Sequence, residues 1–221
     1  MKRTLLAVFL SLAFALPVLA GENSGMVKCA VAELHPTQIS VGMAEVKVKK
    51  HKLRKMDKDE LKKFKKENPE PSVLGPGGKY YIVDHHHLAR ALYETGVDGT
   101  WCNVIADYSG YSMSDFWNKM SERNWVYPYD ENGHGPMSYS AIPARVEDLK
   151  DDPYRSLAGF VRKAGGYDKS QTPFTEFKWA DFFRSRISSR DIADDFDACV
   201  EKGVKLAHSP EAAGLPGYQG K

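Results

Sequence analysis

The spacing of apolar residues predicts mixed strands and helices in the first half of the chain. β-Branched residues in partial alternation from Ile39 to Val48 favour a strand. The next run predicts a helix from about Met56 to Glu67, which Asn68–Pro69 would end. The remaining predicted elements are a hairpin of strands over 71–74 and 79–83 around a Gly-Pro-Gly-Gly turn, a helix over 85–94 closing near Gly96, and a strand over 101–108. This order indicates an α+β fold.

The second half of the chain predicts helices. They run from Ser112 or Ser114 to Glu122, from Pro153 to Gly165, from Thr175 through Phe183, and from Ser188 or Ser189 to about His208. Aromatic residues form the predicted core of this lobe: Phe160, Phe174, Phe177, Trp179, Phe182 and Phe183. We therefore expect a lead-in (21–33), an α+β domain (34–110), a helical C-terminal lobe (111–208) and a loosely ordered tail (209–221).

The first twenty residues have the pattern of a secretory signal peptide. Basic Lys2 and Arg3 precede an apolar run from Leu5 to Leu16, and small or apolar residues lead up to Ala20. The apolar run is too short to span a bilayer, and no later stretch is apolar enough to do so. We expect cleavage after Ala20 and a periplasmic or secreted protein.

Charge is balanced overall but concentrated locally. The chain has 31 basic and 29 acidic residues, and cleavage after Ala20 would remove two of the basic ones. This balance lacks the basic excess typical of nucleic-acid-binding proteins. Residues 47–66, however, include eleven basic and three acidic residues. Such a run is usually a solvated helix face, and the alternative is an anion-attracting surface beside a site.

Three cysteines, Cys29, Cys102 and Cys199, lie after the predicted cleavage position. In an oxidising compartment this odd number allows one disulfide and leaves one thiol, and the sequence does not determine the pairing. The absence of a C-x-x-C motif argues against thioredoxin-like redox chemistry.

The candidate site is Asp84-His85-His86-His87, between a strand and a helix. Asp84 is placed to cap the helix, and the three histidines would occupy its first turn, where free amides and the positive helix end favour phosphate. Successive helical residues turn by about 100°, so one or two imidazoles are expected to reach a ligand. We predict Asp84, His85, His86 and His87 as catalytic residues, with His86, His87 and Arg90 contacting phosphate.

The cofactor is unknown from the sequence, although a divalent metal could assist. Adjacent histidines lack the i, i+4 spacing that places two ligands on one helix face, so we rank phosphate contact above a histidine-only metal site. His134, in the loop Glu131–Gly135, is an ordinary loop residue or part of a lid over the site.

These residues resemble a known family. A strand, a lysine-rich helix, a hairpin ending in YYIVD, a helix that opens with polar residues and a closing strand resemble the ParB/sulfiredoxin-like fold over about residues 35–105. Asp84-His85-His86-His87 stands where that superfamily has a G-E-R-R or G-x-H-R motif that contacts nucleotide phosphates. The chain resembles the ParB-like nuclease subgroup that carries D-H-H-H, and the likeness extends through WVYPYD (125–130) and DPYRSLAG (152–159).

The resemblance implies a small mixed sheet with helices, followed by a helical lobe, and a phosphate-containing ligand that could be nucleic acid. Sulfiredoxin's cysteine and a helix-turn-helix are both absent, which argues against sulfinic acid reduction and sequence-specific DNA partitioning. The leading hypothesis is an exported phosphodiesterase or nuclease that uses the histidine cluster. The alternatives are a nucleotide-dependent, kinase-like phosphotransferase and a non-catalytic binder of an anionic ligand or metal.

Overall fold

A computed structural model describes residues 25–220, so the predicted signal peptide lies outside the described residues. A mixed five-stranded sheet has the order β1-β6-β4-β5-β2. Its strands are β1 (Gly25–Ala30), β2 (Leu34–His35), β4 (Glu70–Gly75), β5 (Lys79–Ile82) and β6 (Gly99–Asp107), and a second sheet pairs β3 (Ser40–Val41) in parallel with β7 (Lys150–Asp151). The predicted α+β class is confirmed.

Eight α-helices accompany the sheets in the described part of the chain. They are α1 (Met43–Arg54), α2 (Lys58–Glu67), α3 (His86–Glu94), α4 (Met113–Glu122), α5 (Pro153–Lys163), α6 (Thr175–Arg184), α7 (Ser189–Asp194) and α8 (Phe196–Ala207). Sequence signals placed several starts correctly, because Asp57, Ser112 and Asp152 accept hydrogen bonds from first-turn amides. Between residues 25 and 220, none of these helices has the length and apolar character needed to cross a membrane.

The predicted strand over 39–48 is wrong beyond Val41. The chain turns into α1 at Met43, with Gly42 as its N-cap. Val46 and Leu53, seven residues apart, share one buried face of this helix, while straight-chain lysines fill its other faces. The alternation that favoured a strand was therefore a short coincidence within a helical pattern.

Two other boundaries differ from expectation, and the structure also assigns the cysteines. Residues 25–30, assigned to a lead-in, form edge strand β1, which pairs antiparallel with β6 and is joined to it by the disulfide Cys29–Cys102. Cys199 is the free, buried thiol. The predicted last helix is two helices, because Asp195 has extended backbone angles and caps the second of them.

The C-terminal tail, which we expected to be loosely ordered after residue 208, is packed against the helical lobe. Ala212 is buried in the core of the helical lobe, and the Trp179 indole N–H donates to the Pro216 carbonyl at 2.9 Å. The Asp168 amide donates to the Gly217 carbonyl at 2.8 Å. These contacts hold the tail because Trp179 is a fully buried core residue whose N–H needs an acceptor.

Candidate functional site

The site begins where β5 ends and α3 starts. His85 has a left-handed backbone conformation (φ 62°) and is the N-cap of α3, and its amide donates to Asp84 Oδ1 at 2.6 Å. Asp84 therefore precedes the cap instead of forming it, which corrects its predicted role. A left-handed conformation is uncommon for a residue with a side chain, and here it lies at the junction between strand and helix.

His86 and His87 are buried and hold another part of the chain. His86 Nε2 accepts from the Thr37 amide at 3.1 Å, and His87 Nε2 accepts from the Gly42 amide at 3.0 Å. Burial lowers the pKa of His86 to about 3. Burial, followed by the nearby Arg155 charge, lowers the pKa of His87 well below its usual value. Both are therefore neutral acceptors that fasten the segment before α1 to α3.

Arg90 and His134, which were also predicted as site residues, make their contacts outside the cleft. Arg90 Nη1 donates to the carbonyls of Glu147 (2.5 Å) and Leu149 (3.1 Å), and its Nε donates to Glu94 at 2.6 Å. His134 lies in a tight turn, where its amide donates to Asp130 Oδ1 at 2.8 Å and its side chain is 77% exposed. Neither residue lines the cleft beside His85.

The side chain of the triplet that opens to a cavity is His85. A cleft of about 160 Å³ lies between α1, the end of α2 and the start of α3, and it is lined by Lys49, Lys52, Leu53, Phe64, Asn68, His85 and Leu88. Lys52 Nζ lies 5.2 Å from the Phe64 ring centroid. Across residues 25–220 the structure gives neither Lys49 nor Lys52 a carboxylate partner. The lysine-rich run thus supplies two uncompensated ammonium groups to the cleft.

A buried carboxyl lies behind His85. Glu70, the first residue of β4, has a side chain that is 0% exposed, and its Oε2 lies 3.8 Å from His85 Nδ1. Both Glu70 oxygens and His85 Nδ1 lack a hydrogen-bond partner within the described residues. Burial raises the pKa of Glu70 well above its usual value, and Asp84 adds to this, whereas Lys49 opposes it. Burial thus favours the protonated, neutral form of the Glu70 carboxyl.

The His85 ring bridges this buried carboxyl and the cleft. Its Nδ1 is buried, yet the side chain as a whole is 38% exposed. The other edge of the imidazole, which carries Nε2, therefore faces the open side. Glu70 was not among the residues predicted from the sequence. The available signal was its position in β4, where it shares the inward face with Ser72 in an otherwise apolar strand.

A second glutamate–histidine cluster joins α1 to α5. The buried Glu45 carboxylate contacts Lys163 Nζ at 2.9 Å, Arg155 Nη1 at 3.5 Å and His87 Nε2 at 3.4 Å. A Cβ at Gly159 would lie 2.1 Å from Glu45 Oε1, so glycine at that position makes room for the carboxylate. Our sequence analysis did not identify this cluster either, because its members are up to 118 residues apart.

Larger concavities lie elsewhere. Two are open grooves along the lysine-rich faces of α1 and α2. A third, of about 690 Å³, lies against the helical lobe and is lined by aromatic residues that include Tyr127, Tyr129 and Phe174. None of them contains a buried polar group without a partner. In the described chain no three His, Cys, Asp or Glu side chains are grouped so as to hold a metal ion.

Comparison with known proteins agrees with this architecture. A family model described as "Putative ParB-like nuclease" matches residues 27–185. The crystal structure of protein Atu1540 from Agrobacterium tumefaciens superimposes with a TM-score of 0.82 at 41% sequence identity, covering 89% of this chain and 99% of that one. No curated protein matches the chain. The family match spans β1 to α6 and so includes the His85 cleft and both glutamates.

Proposed function

The chain belongs to the ParB-like nuclease family, and we propose that it hydrolyses phosphodiesters in the His85 cleft. One observation carries the proposal. An imidazole with one edge open to the cleft is backed by a buried, unpaired carboxyl and faces two lysines that have no counter-charge among the described residues. Unpaired buried polar groups are costly, and they concentrate where a ligand or a reaction uses them.

Phosphate binding is assigned to Lys49, Lys52 and the start of α3. Two ammonium groups attract a phosphodiester. The amides of His86 and His87, in the first turn of α3, have no acceptor within residues 25–220 and favour the same anion. The other lysines of α1 and α2 extend the positive surface, which suits a polymeric substrate such as nucleic acid.

His85 is the proton donor of the proposed reaction. Its open edge, which carries Nε2–H in the proposed tautomer, is available to protonate the oxygen of the leaving alcohol. As water attacks the phosphorus atom, the bond from phosphorus to the leaving oxygen breaks, and that oxygen takes the Nε2 proton. The proton released by the water restores the histidine. The lysines stabilise the charge that develops on the phosphoryl oxygens.

This mechanism assigns substrate contact to fewer side chains than the sequence predicted. The imidazoles of His86 and His87 serve as neutral acceptors that fix α3 against Thr37 and Gly42, so these side chains position the cleft without touching the substrate. Arg90 holds the carbonyls of 147 and 149. Asp84 accepts a hydrogen bond from the His85 amide and so helps to fix the backbone of His85.

Export remains part of the proposal. The N-terminal pattern described above is typical of a signal peptide, and the disulfide Cys29–Cys102 suits an oxidising compartment. N-terminal sequencing of the protein from a periplasmic fraction tests this, with Gly21 as the expected first residue. A retained Met1 would contradict it.

Turnover of bis(4-nitrophenyl) phosphate, and of plasmid and single-stranded DNA, tests the reaction. The purified protein is assayed with Mg²⁺, Mn²⁺, Zn²⁺ or a chelator. His85→Asn should lower kcat by about 100-fold or more, and the double variant Lys49→Met/Lys52→Met should raise KM. The control is Lys205→Met, an exposed lysine on α8, which should leave both constants unchanged. Phosphate binding without turnover would instead identify a non-catalytic binder.

A further inference from the structure

We propose that Glu70 is a positioning and proton-holding residue for His85, with its carboxyl supplying a proton to Nδ1 while Nε2 faces the cleft. The catalytic part of this inference rests on the function proposed above. The coupling between the two side chains can be tested independently of any activity.

The first argument is that the fold does not explain Glu70. A fully buried carboxyl normally has hydrogen bonds to offset its lost hydration, yet neither Glu70 oxygen has one within residues 25–220. Apolar side chains surround this part of the sheet: Leu53, Leu88 and Cys102 belong to the same core cluster. An apolar residue would therefore pack here without leaving a buried polar group unpaired.

The second argument is that the unpaired atoms face each other. His85 Nδ1 is also buried and without a partner, and it lies 3.8 Å from Glu70 Oε2. A small rotation of either side chain about its bonds closes this separation to a hydrogen bond. His85 also has a left-handed backbone, which is costly for a residue with a side chain. The other charged groups near the pair are Asp84 on the preceding loop and Lys49 and Lys52 on α1.

The third argument is that the proton balance fits the proposed reaction. In the proposed reaction Glu70 begins protonated, and its O–H donates to Nδ1 once the two side chains have closed to hydrogen-bond distance, so that the neutral imidazole carries its own hydrogen on Nε2. When Nε2–H passes its proton to the leaving oxygen, the Glu70 proton moves to Nδ1, leaving a carboxylate and a neutral ring. The proton from the attacking water then returns to Nε2, and the Nδ1 proton returns to Glu70. No other reactant is required.

Glu70→Gln tests the inference, because it keeps the shape of the side chain and removes the transferable proton. Glu70→Met, an apolar side chain of similar length, is a second variant. Glu201→Gln, an exposed carboxylate on α8, is the matched control. The first measurement is the ¹⁵N NMR titration of the His85 ring without substrate. We expect the ¹⁵N chemical shifts of the His85 ring to change in both Glu70 variants and to stay unchanged in Glu201→Gln.

The second measurement is the pH profile of phosphodiester turnover. We expect kcat to fall by about 100-fold in Glu70→Gln with KM nearly unchanged, and one limb of the pH profile to disappear. An identical His85 titration in wild type and both variants would overturn the inference, as would an unchanged kcat in Glu70→Gln. If the wild-type protein shows no turnover, the proposed hydrolysis fails, and the His85 titration alone decides whether Glu70 is coupled to it.

Discussion

Two clusters of the same residue types lie on either side of the first turn of α3, and their pairing differs. At the junction of α1 and α5, Glu45 contacts His87, Arg155 and Lys163. In the cleft, Glu70 and His85 face each other without a hydrogen bond, and Lys49 and Lys52 have no carboxylate partner in the part of the chain described. The comparison teaches that residue type alone does not distinguish a structural cluster from a candidate reactive one, whereas the state of pairing does.

The paired cluster connects the α+β domain to the helical lobe. Glu45 lies on α1 and its two cationic partners lie on α5, so the interactions hold the two parts together. The unpaired cluster lies within the α+β domain, where His85, Lys49 and Lys52 line the cleft and Glu70 is buried beside His85. We therefore expect substitutions in the first cluster to reduce stability and substitutions in the second to reduce activity.

The largest expected effect comes from His85→Gly. Glycine accepts the left-handed backbone that costs histidine about 1 kcal/mol, so the free energy of unfolding should rise slightly. Turnover should fall by about 1000-fold because the proton donor is gone. Chemical denaturation and phosphodiester assays measure the two effects. A loss of stability in this variant would show that His85 is a structural residue like His87.

The next largest effect distinguishes Glu45 from Glu70 by their contributions to stability. Glu45→Gln leaves the mostly buried Arg155 without its counter-charge, so the free energy of unfolding should fall by about 3 kcal/mol, the lower end of the range for a broken buried pair because Lys163 is half exposed. Glu70→Gln should change it by less than about 1 kcal/mol, since no partner is lost. Urea denaturation of both variants gives the comparison. Equal losses would contradict it.

Acid should destabilise the protein through the buried histidines. The folded-state pKa of His86 is lowered to about 3, so the unfolded state binds the extra proton between pH 6.5 and 3, and stability falls as pH falls through this window. Between pH 6.5 and 5 this amounts to about 2 kcal/mol. Glu70 opposes the trend, because its raised pKa makes its contribution greatest at low pH and smaller as pH rises.

Urea denaturation at several pH values measures this dependence. His86→Asn should flatten the fall in stability on the acid side. His85→Asn, at the exposed member of the triplet, is the matched control and should leave the fall in place. An unchanged pH dependence in His86→Asn would contradict the neutral, buried state of His86.

The smallest expected effect is that of Gly159→Ala. The added methyl group would displace Glu45 Oε1, which lies 2.1 Å from the position of the new Cβ, and such overpacking costs about 1–2 kcal/mol. Gly110→Ala is the control, because nothing lies within 4 Å of its Cβ position. Thermal unfolding of both variants should show a lower Tm for the first only. A normal Tm for Gly159→Ala would mean that the Glu45 cluster tolerates rearrangement.

Elements that are bounded by turn or capping residues were predictable from the sequence. The hairpin around Gly75–Gly78 and the helix starts at Asp57, Ser112 and Pro153 depend on turn and cap residues within four positions of each other. The start of α1 was not predictable, because a few alternating residues before Met43 resemble a strand. Only the structure shows that Val46 and Leu53 are buried on α1. The packing of the C-terminal tail was not predictable either, because it depends on Trp179, which lies 37 residues before Pro216 in the chain.

The sequence pointed to the start of α3 as a candidate site, but the separate contacts of its three histidines were not predictable. Adjacent histidines at a helix start point to a site, yet their separate roles depend on Thr37 and Gly42, which are 45 to 49 residues distant, and on the backbone angle of His85. Glu70 has no motif of its own. It becomes significant only because it is buried without a hydrogen-bond partner beside His85.

The most direct test of the central claim is a titration of the protein with inorganic phosphate, observed at the ¹⁵N resonances of the histidine rings. One spectrum reports on both clusters. The account predicts that the His85 resonances move to saturation while those of His86 and His87 stay fixed, and that Lys49→Met/Lys52→Met abolishes the shift. Movement at His87 with none at His85 would contradict it, because the ligand would then enter the cluster that we assign to structure.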